Sequence, residues 1–364
     1  MAWGRVWICA AVAAVLPASA FAAPFAADSV VVYRVGNGVA NLNSNAAAVF
    51  LDEYSPTGVL RQSIAMPTAP TGALSAVTAS GNSEPEGRLS LSADGRALVL
   101  PGYTALPGGA TASSNPVATP RVVATVDAAG GITTLPVTVL SSRPYAAVSA
   151  DGQGAYLSGS NGIAYVDAAG QSTKLLSGAS FDMAIADGQL YYTNGANPGI
   201  YALGAGLPTA GSPVGRLVVP MVGNNPRGFT FVDLSASVPG VDTLYVADSI
   251  DSQSGISKYS KQGSGEWVYR QTVQSGALDL VSRVVAGQVQ LFGTGTNGLY
   301  MLTDTSGYDG LINGSQTTLV TAATRTRFQG VAFAPAVPEA SNTVLALTGL
   351  AACLLLSRRR PSGR

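Results

Sequence analysis

Short apolar runs separated by turn residues fill the chain between residues 23 and 336, and helical periodicity is almost absent from this region. In the clearest stretch, four β-rich runs alternate with turns that contain Asp-Gly, Asn-Gly or Ala-Gly pairs. These runs are 145–149, 155–158, 162–167 and 172–176. Four such runs joined by tight turns predict one antiparallel four-stranded meander.

The same order of runs and turns recurs along the chain. Gly-Ile or Gly-Leu pairs begin at Gly162, Gly199, Gly255 and Gly298, at spacings of 37, 56 and 43 residues. Periods of about 40 to 50 residues with four strands each are typical of a β-propeller. Each meander is apolar on both faces, so it needs a blade on either side to bury them. A β-sandwich is the alternative all-β fold, but a four-strand unit that repeats five times favours the propeller.

Both ends of this region hold an incomplete unit. The runs are 30–35, 49–54 and 60–66 at one end and 328–333 at the other. We expect these four strands to form a composite N/C-terminal blade that closes the ring and removes exposed sheet edges. The predicted number of blades is then six; it becomes seven if the insertion 101–120 or the loop 303–316 contains a hairpin. The insertion is rich in Gly, Ala, Ser, Thr and Pro, which indicates a flexible surface loop.

The first 22 residues have the three-part layout of a secretory signal peptide. Arg5 precedes an apolar run that is too short to span a bilayer. Small-x-small sites follow, and they end at Ala20 and Ala22. We therefore expect cleavage at one of these two residues, and residues 23–336 form the predicted propeller domain.

The last 28 residues, 337–364, carry a second signal. Val337, Pro338 and Glu339 precede an apolar stretch at 343–356. Three adjacent arginines follow it, and they are Arg358, Arg359 and Arg360. The length of the stretch and the charges after it predict a separate C-terminal transmembrane helix whose end stays on the cytoplasmic side.

This tail resembles the PEP-CTERM sorting signal of Gram-negative bacteria. The Pro-Glu-Pro of that family falls on Pro338, Glu339 and Ala340, so the second proline is replaced here. The resemblance implies export, a transient anchor in the inner membrane and processing by an exosortase-type enzyme. We then expect the protein at the cell surface or outside the cell, with extracellular polysaccharide or surface proteins as further partners. The resemblance covers the tail alone and implies nothing about the propeller.

The composition excludes several kinds of chemistry. The chain has no histidine, so it contains no Ser-His-Asp or Cys-His nucleophile and no zinc site with a histidine ligand. The 20 basic and 20 acidic residues balance only because five arginines and one glutamate lie in the end segments. The body alone has a net charge of about −4 and only three lysines, so we expect no binding of nucleic acid. Cys9 and Cys353 also lie in the end segments, which leaves the body without a disulfide.

Acidic residues beside turn signals are the first candidates for a functional site. Asp94, Asp151 and Asp187 each precede a glycine, and we interpret them as hairpin-turn residues rather than ligands at the end of a channel. Residues 248–254 have the density of oxygen donors of a calcium loop. They lack the glycine and the terminal glutamate of an EF-hand, so no cofactor is predicted, and Ca²⁺ is the one candidate.

Three further groups of polar residues have less distinctive patterns. Asp304, Asp309 and Asn313 form another weak cluster of oxygen donors. The densest acidic spots are Asp52-Glu53 and Glu84-Pro85-Glu86, which we interpret as solvated residues near turns. Two carboxylates that hydrolyse a glycoside need only be adjacent in space, so the sequence leaves that reaction open.

Together these features predict an exported, non-catalytic propeller with a binding or structural role. We therefore expect no enzyme activity and assign no catalytic, cofactor-binding or metal-binding residue. The alternative is a secreted metal-dependent hydrolase or lactonase of propeller fold with Asp, Glu and Asn ligands. The lining of the central channel separates the two: three or four converging Asp, Glu and Asn side chains favour the enzyme, and a mixed polar lining favours recognition.

Overall fold

The computed structural model describes residues 23–111, 120–223, 225–248 and 255–336. All regular secondary structure in these ranges is β. Among these residues, no helix is long and apolar enough to cross a membrane. The predicted cleavage residues Ala20 and Ala22 and the whole tail from residue 337 lie outside the described ranges.

The described residues form 25 strands. The first eight are β1 (Val30–Val35), β2 (Ala46–Tyr54), β3 (Leu60–Ala65), β4 (Thr78–Ser80), β5 (Ser90–Leu91), β6 (Ala97–Tyr103), β7 (Arg121–Asp127) and β8 (Ile132–Val137). The next eight are β9 (Pro144–Val148), β10 (Ala155–Gly159), β11 (Gly162–Val166), β12 (Ser172–Leu176), β13 (Met183–Ala186), β14 (Gln189–Thr193), β15 (Gly199–Leu203) and β16 (Gly215–Pro220). The last nine are β17 (Pro226–Val232), β18 (Thr243–Asp248), β19 (Gly255–Lys261), β20 (Trp267–Gln274), β21 (Asp279–Val285), β22 (Gln288–Gly295), β23 (Gly298–Asp304), β24 (Thr317–Thr321) and β25 (Arg327–Phe333).

These strands form a β-propeller of antiparallel four-stranded blades, as predicted. Four blades are separate sheets: blade 3 (β9–β12), blade 4 (β13–β16), blade 5 (β17–β20) and blade 6 (β21–β24). The remaining strands form a nine-stranded sheet that contains two further meanders. Blade 1 is β25-β1-β2-β3, blade 2 is β5-β6-β7-β8, and the short strand β4 pairs with both β2 and β6.

Blade 1 closes the ring in the predicted way. Its first strand, β25, comes from the C-terminal end of the propeller and pairs antiparallel with β1, so that Phe333 lies opposite Val30. The first strands of the six blades contact one another in the order β25, β5, β9, β13, β17, β21, and β21 contacts β25 again. The innermost layer of the propeller is therefore a closed ring around a central channel.

Six apolar clusters hold the ring together, one at each interface between neighbouring blades. Strand β6 shows why the sequence requires this arrangement. Leu98 is buried against blade 1 and the next residue, Val99, is buried against blade 3. Because successive side chains of a strand point to opposite faces, a blade with apolar residues at both positions needs a neighbour on each side.

The insertion at 101–120 differs in part from the prediction. Pro101 and Tyr103 belong to β6, where they pair with Val123 and Arg121 of β7. Both residues are buried, so this part of the insertion is sheet rather than a surface loop. Residues 112–119 lie outside the described ranges. The connection from β23 to β24 is described throughout and contains no strand, so it adds no seventh blade.

Candidate active site in the central channel

A cavity of about 200 Å³ lies at the centre of the ring. All six blades contribute to its wall through residues on or next to their innermost strands. Each blade contributes at least one wall residue. In the order of blades 1 to 6, examples are Ala332, Ser90, Ala147, Ala184, Thr230 and Val281. Small and apolar side chains make up most of this wall, and the ionisable exceptions are Arg88, Asp182 and Asp279.

Arg88 lies just before β5 and is 1% exposed. Its backbone N–H donates to the carbonyl oxygen of Tyr145 at 2.9 Å, which fixes this residue against blade 3. Its Nη1 donates to the carbonyl oxygen of Gln329 in β25 at 3.2 Å. No described residue offers a hydrogen-bond partner to its Nε or its Nη2. One edge of a buried guanidinium is thus anchored and the other edge is unpaired.

Asp182 immediately precedes β13 and is 6% exposed. Its Oδ1 accepts a hydrogen bond from the backbone N–H of Met183 at 2.8 Å. Its Oδ2 accepts one from the N–H of Phe229 in β17 at 3.0 Å. The carboxyl group therefore connects the innermost strands of blades 4 and 5, and its position is set by backbone groups.

Asp279 begins β21 and is 3% exposed. Its Oδ2 accepts a hydrogen bond from the N–H of Val331 in β25 at 3.0 Å. Gly228 makes room for this residue, because a Cβ at position 228 would lie 2.7 Å from the Cα of Asp279. The second channel carboxyl is thus held between blades 5, 6 and 1.

Burial separates the protonation states of these two carboxyl groups. Burial raises the pKa of Asp182 well above its ordinary value, the charge of Asp279 raises it further, and Arg88 only partly opposes this. Burial also raises the pKa of Asp279, but Arg88 and backbone N–H groups oppose it and limit the pKa to about 6. Within this coupled pair the proton is therefore favoured on Asp182 over Asp279.

Such a pair can perform acid–base chemistry without histidine. Two titratable groups whose environments push their pKa values apart can serve as the acid and the base of one reaction. Each carboxyl oxygen that accepts one backbone hydrogen bond keeps a further lone pair. The arrangement therefore offers one proton donor, one proton acceptor and a guanidinium beside a common cavity.

More arginines lie just before or at the start of other innermost strands, as Arg88, Asp182 and Asp279 do. They are Arg143, Arg227 and Arg327, from blades 3, 5 and 1. Burial lowers the pKa of Arg227 and of Arg327, and the nearby carboxylate of Glu84 raises both in part. The guanidinium of Arg227 lies 4.5 Å from the centre of the Phe181 ring. The starts of the innermost strands are thus rich in positive charge, although the body as a whole is acidic.

The three Asp-Gly residues lie in turns, as predicted. Asp94 Oδ1 accepts hydrogen bonds from the backbone N–H of Arg96 and the hydroxyl of Ser92. Asp151 Oδ1 accepts one from the N–H of Gln153. Asp187 has a φ of +48° in its turn, and its carboxylate accepts a hydrogen bond from the N–H of a residue in the loop between β17 and β18.

The weak cluster of oxygen donors in blade 6 is not brought together as one site. Asp304 pairs with buried Lys258, with a distance of 2.9 Å between Nζ and Oδ2. Asp309 pairs with Arg270. Asn313 bonds the backbone and the hydroxyl group of Thr305. Across the described ranges, no three acidic or thiol side chains are grouped as ligands for a metal ion. Asp248 ends β18, and the rest of the predicted calcium loop lies outside these ranges.

Our interpretation of the dense acidic spots as solvated residues was wrong at three of four positions. Asp52 and Glu53 are 3% and 2% exposed, and Asp52 Oδ2 lies 2.5 Å from Arg34 Nε. Glu86 is 1% exposed and accepts hydrogen bonds from the N–H of Ser80 and the hydroxyl of Tyr103. Burial raises the pKa of Glu86, and these hydrogen bonds oppose that shift. Glu84 is partly exposed.

None of the three ionisable residues of the cavity was among the residues predicted from the sequence. Arg88, Asp182 and Asp279 have a common signal, since each is a single charged residue at the start of an apolar innermost run. In a propeller the first strand of each blade lines the channel, so a charge at that position lies near the axis. The lining contains two aspartates and an arginine, rather than the three or four oxygen ligands that would indicate a metal site.

Comparison with known proteins gives similarity in fold only. No family model matches the chain, and no curated protein matches it. A chain of the nidogen–laminin complex is 12% identical, with a TM-score of 0.48 and coverage of 84% of this chain and 98% of that one. A gluconolactonase from Xanthomonas campestris is 14% identical, with a TM-score of 0.45 and coverage of 85% and 91%. A streptogramin B lyase is 14% identical, with a TM-score of 0.45 and coverage of 79% and 84%.

These comparisons correct one prediction. The prediction of no enzyme activity does not fit these comparisons, because two of these three propellers are enzymes. At 12–14% identity the similarity concerns the architecture, so it gives no substrate and no reaction for this chain.

Proposed function

We propose that this protein is a hydrolase that cleaves a small ester or lactone in its central channel by acid–base catalysis. One observation carries the proposal: two buried carboxyl groups, Asp182 and Asp279, lie beside one cavity with a partly unpaired guanidinium, and burial raises the pKa of Asp182 more than that of Asp279. Buried ionisable groups with shifted pKa values in a cleft are typical of catalytic sites.

The proposed reaction uses Asp279 as the base and Asp182 as the acid. The ionised carboxylate of Asp279 takes a proton from a water molecule, and the oxygen of that water attacks the carbonyl carbon. The C–O bond to the alcohol part breaks as Asp182 donates its proton to the leaving oxygen. The products are a carboxylic acid and an alcohol, and solvent returns the proton from Asp279 to Asp182.

The positions of these two residues suit such a role. Backbone N–H groups hold both carboxyl groups, so neither depends on a mobile side chain for its position. The proposal needs no metal ion, and this separates it from the metal-dependent hydrolase that the sequence suggested as an alternative.

The test is lactone hydrolysis by the purified full-length protein, measured as acid release between pH 5 and pH 8 with and without EDTA. We expect turnover that survives EDTA and falls about 10²- to 10⁴-fold in Asp279→Asn, as for loss of a general base. The turnover of Asp182→Asn should fall by a similar factor. The matched control is Asp151→Asn, in an exposed turn, which should keep full activity.

Two results would overturn this assignment. Activity that disappears with EDTA would favour a metal-dependent hydrolase, and equal activity in Asp279→Asn and Asp151→Asn would remove the channel pair from the reaction. Circular dichroism of each variant shows whether it still folds as a β protein.

We also propose that the chain is exported and sorted to the cell surface or extracellular matrix. The support is the layout of the end segments: small residues at Ala20 and Ala22, the motif Val337-Pro338-Glu339, and the arginines after the apolar stretch. An exosortase-type enzyme would be the processing partner. Mass spectrometry of the exported protein should find neither segment, and a tail that still ends in Arg364 in a host with an active exosortase would contradict the proposal.

A further inference from the structure

We infer that the substrate carries a carboxylate group, which the unpaired edge of Arg88 binds in a bidentate manner. The inference rests on the proposed function, because it names the class of substrate for the same cavity. Arg88 would be a binding residue that holds the end of the substrate away from the bond that breaks.

The guanidinium of Arg88 is held on one side only. Its Nη1 donates to the carbonyl oxygen of Gln329, and the hydroxyl of Thr294 donates to the same oxygen at 3.0 Å. The side chain of Gln329 is held in turn, because its Nε2 donates to the carbonyl oxygen of Ser83 at 2.8 Å. These contacts fix the orientation of the guanidinium and leave Nε and Nη2 for another partner.

Nε and Nη2 are the two donors that share one edge of a guanidinium, and their N–H bonds are nearly parallel. This edge matches the two oxygens of a carboxylate, which it binds through two parallel hydrogen bonds. Arg88 is 1% exposed, and a buried cation with two unsatisfied donors is costly unless a ligand or water satisfies them. Arg88 is also one of the residues that line the cavity.

The charges around Arg88 favour an anion. Of the two carboxyl groups beside it, burial favours the neutral form of Asp182 more strongly than that of Asp279, whose pKa is about 6. Arg227 and Arg327 are both close enough for their charges to act against that of Arg88. Among the acidic groups near these arginines, Glu84 is partly exposed and burial raises the pKa of Glu86. Three arginine charges thus act on one another here, which favours the binding of a negatively charged ligand.

The cavity limits the size of this ligand. Its volume of about 200 Å³ is below the roughly 300 to 1,000 Å³ of pockets that hold drug-sized ligands. A polysaccharide chain does not fit in this space, whereas a single sugar acid or its lactone is of the right order. The inferred substrate is therefore a small lactone or ester with a separate carboxylate group.

The first experiment measures binding to the full-length protein by calorimetry, with D-glucuronate and D-glucose as a charged and a neutral probe of the same shape. We expect glucuronate to bind at least tenfold more tightly than glucose, and more tightly at pH 5 than at pH 8 because Asp279 loses its charge. Equal binding of the two sugars would overturn the inference. Sulfate at the same ionic strength should bind less tightly than glucuronate, and equal binding of sulfate would overturn the assignment of an organic carboxylate.

Variants then locate the site. Arg88→Met should lower the affinity for glucuronate at least tenfold. The affinity of Arg88→Lys should lie between those of the unaltered protein and Arg88→Met, because lysine keeps the charge but has no pair of parallel N–H donors. The control is Arg96→Met, in the exposed turn after β5. Unchanged affinity in Arg88→Met would place the carboxylate elsewhere. The comparison of glucuronate with glucose on the unaltered protein needs no variant, so it decides the inference even if Arg88→Met does not fold.

The failures of the two proposals are distinguishable. Binding of glucuronate at Arg88 without hydrolysis of any lactone would leave this inference standing and remove the proposed reaction. Hydrolysis of D-glucono-δ-lactone as efficiently as of D-glucaro-1,4-lactone, which carries a carboxylate, would keep the reaction and overturn the inference.

Discussion

Lys258 in blade 5 provides a direct test of how two neighbouring blades hold each other. Its side chain and that of Asp304 in blade 6 are 0% exposed, and Nζ lies 2.9 Å from Oδ2. Nζ also donates to the hydroxyl of Ser306 at 2.9 Å and to the carbonyl oxygen of Gly307 at 2.5 Å. The hydroxyl of Tyr245 donates to Asp304 Oδ2 at 2.7 Å. Every donor of this buried ammonium group thus has a partner.

The substitution Lys258→Met removes the cation and leaves the carboxylate of Asp304 buried without its main partner. Breaking a buried ion pair from one side costs about 3 to 5 kcal/mol of the free energy of unfolding. Removing both charges is much less costly, so the double variant Lys258→Met/Asp304→Leu should recover part of this loss.

The effect should also depend on pH. Burial raises the pKa of Asp304, but hydrogen bonds from Lys258, Ser306 and Tyr245 outweigh it and lower the pKa below its ordinary value. A lowered pKa stabilises the fold above the unfolded pKa of about 3.9, and this stabilisation is lost as pH falls through the folded pKa. In Lys258→Met the ionised carboxylate of Asp304 loses its stabilising partner. The loss in the free energy of unfolding should therefore be larger at pH 7 than at pH 4.

Urea unfolding measured by tryptophan fluorescence is the assay. Trp267 is the only tryptophan between residues 23 and 336, it is 7% exposed, and it belongs to blade 5. The control is Lys174→Met on an exposed strand position, which should change the free energy of unfolding by less than about 0.5 kcal/mol. A loss below about 1 kcal/mol in Lys258→Met would refute the reasoning that this pair is a structural connection between blades.

Three further predictions concern the channel and the export signal. The pKa of Asp279 rises from 3.8 to about 6 on folding, so its contribution to the free energy of unfolding should fall by about 3 kcal/mol as pH rises from about 4 to about 6. Asp279→Asn should flatten the urea-unfolding stability profile in that range. Gly228→Ala places a Cβ 2.7 Å from a backbone atom of the next blade and should destabilise the fold by more than about 3 kcal/mol, measured by urea unfolding, unlike Gly263→Ala in open space. N-terminal sequencing of the exported protein should find cleavage after Ala20 or Ala22, and a retained Met1 would contradict this.

The architecture was predictable because the repeat is visible in single residues. Gly162, Gly199, Gly255 and Gly298 each begin the third strand of a blade, so their spacing follows the blades directly. The composite blade followed from an unpaired run at each end, and the pairing of Phe333 with Val30 confirms it. Both inferences need only local pattern, because each blade is built from neighbouring stretches of chain.

The channel residues were not predictable in the same way. Arg88, Asp182 and Asp279 lie about 95 residues apart from one to the next, and the closed ring brings them together. Each has the sequence surroundings of an ordinary strand start. The buried state of Asp52 was missed for a related reason, since its partner Arg34 lies on the adjacent strand rather than near it in sequence. The role of such residues depends on their position in the ring, and the ring forms only when the whole chain is folded.

The protonation of the two channel carboxyl groups tests the central claim most directly, and it needs no substrate. Carbon-13 NMR of the full-length protein labelled at the aspartate carboxyl carbons can follow them between pH 3 and pH 9, with Asp182→Asn and Asp279→Asn for assignment. We expect Asp279 to titrate with a pKa of about 6 and Asp182 to titrate well above the ordinary pKa of an aspartate. Titration of both groups near pH 4, as for exposed aspartates, would contradict the proposed acid–base pair.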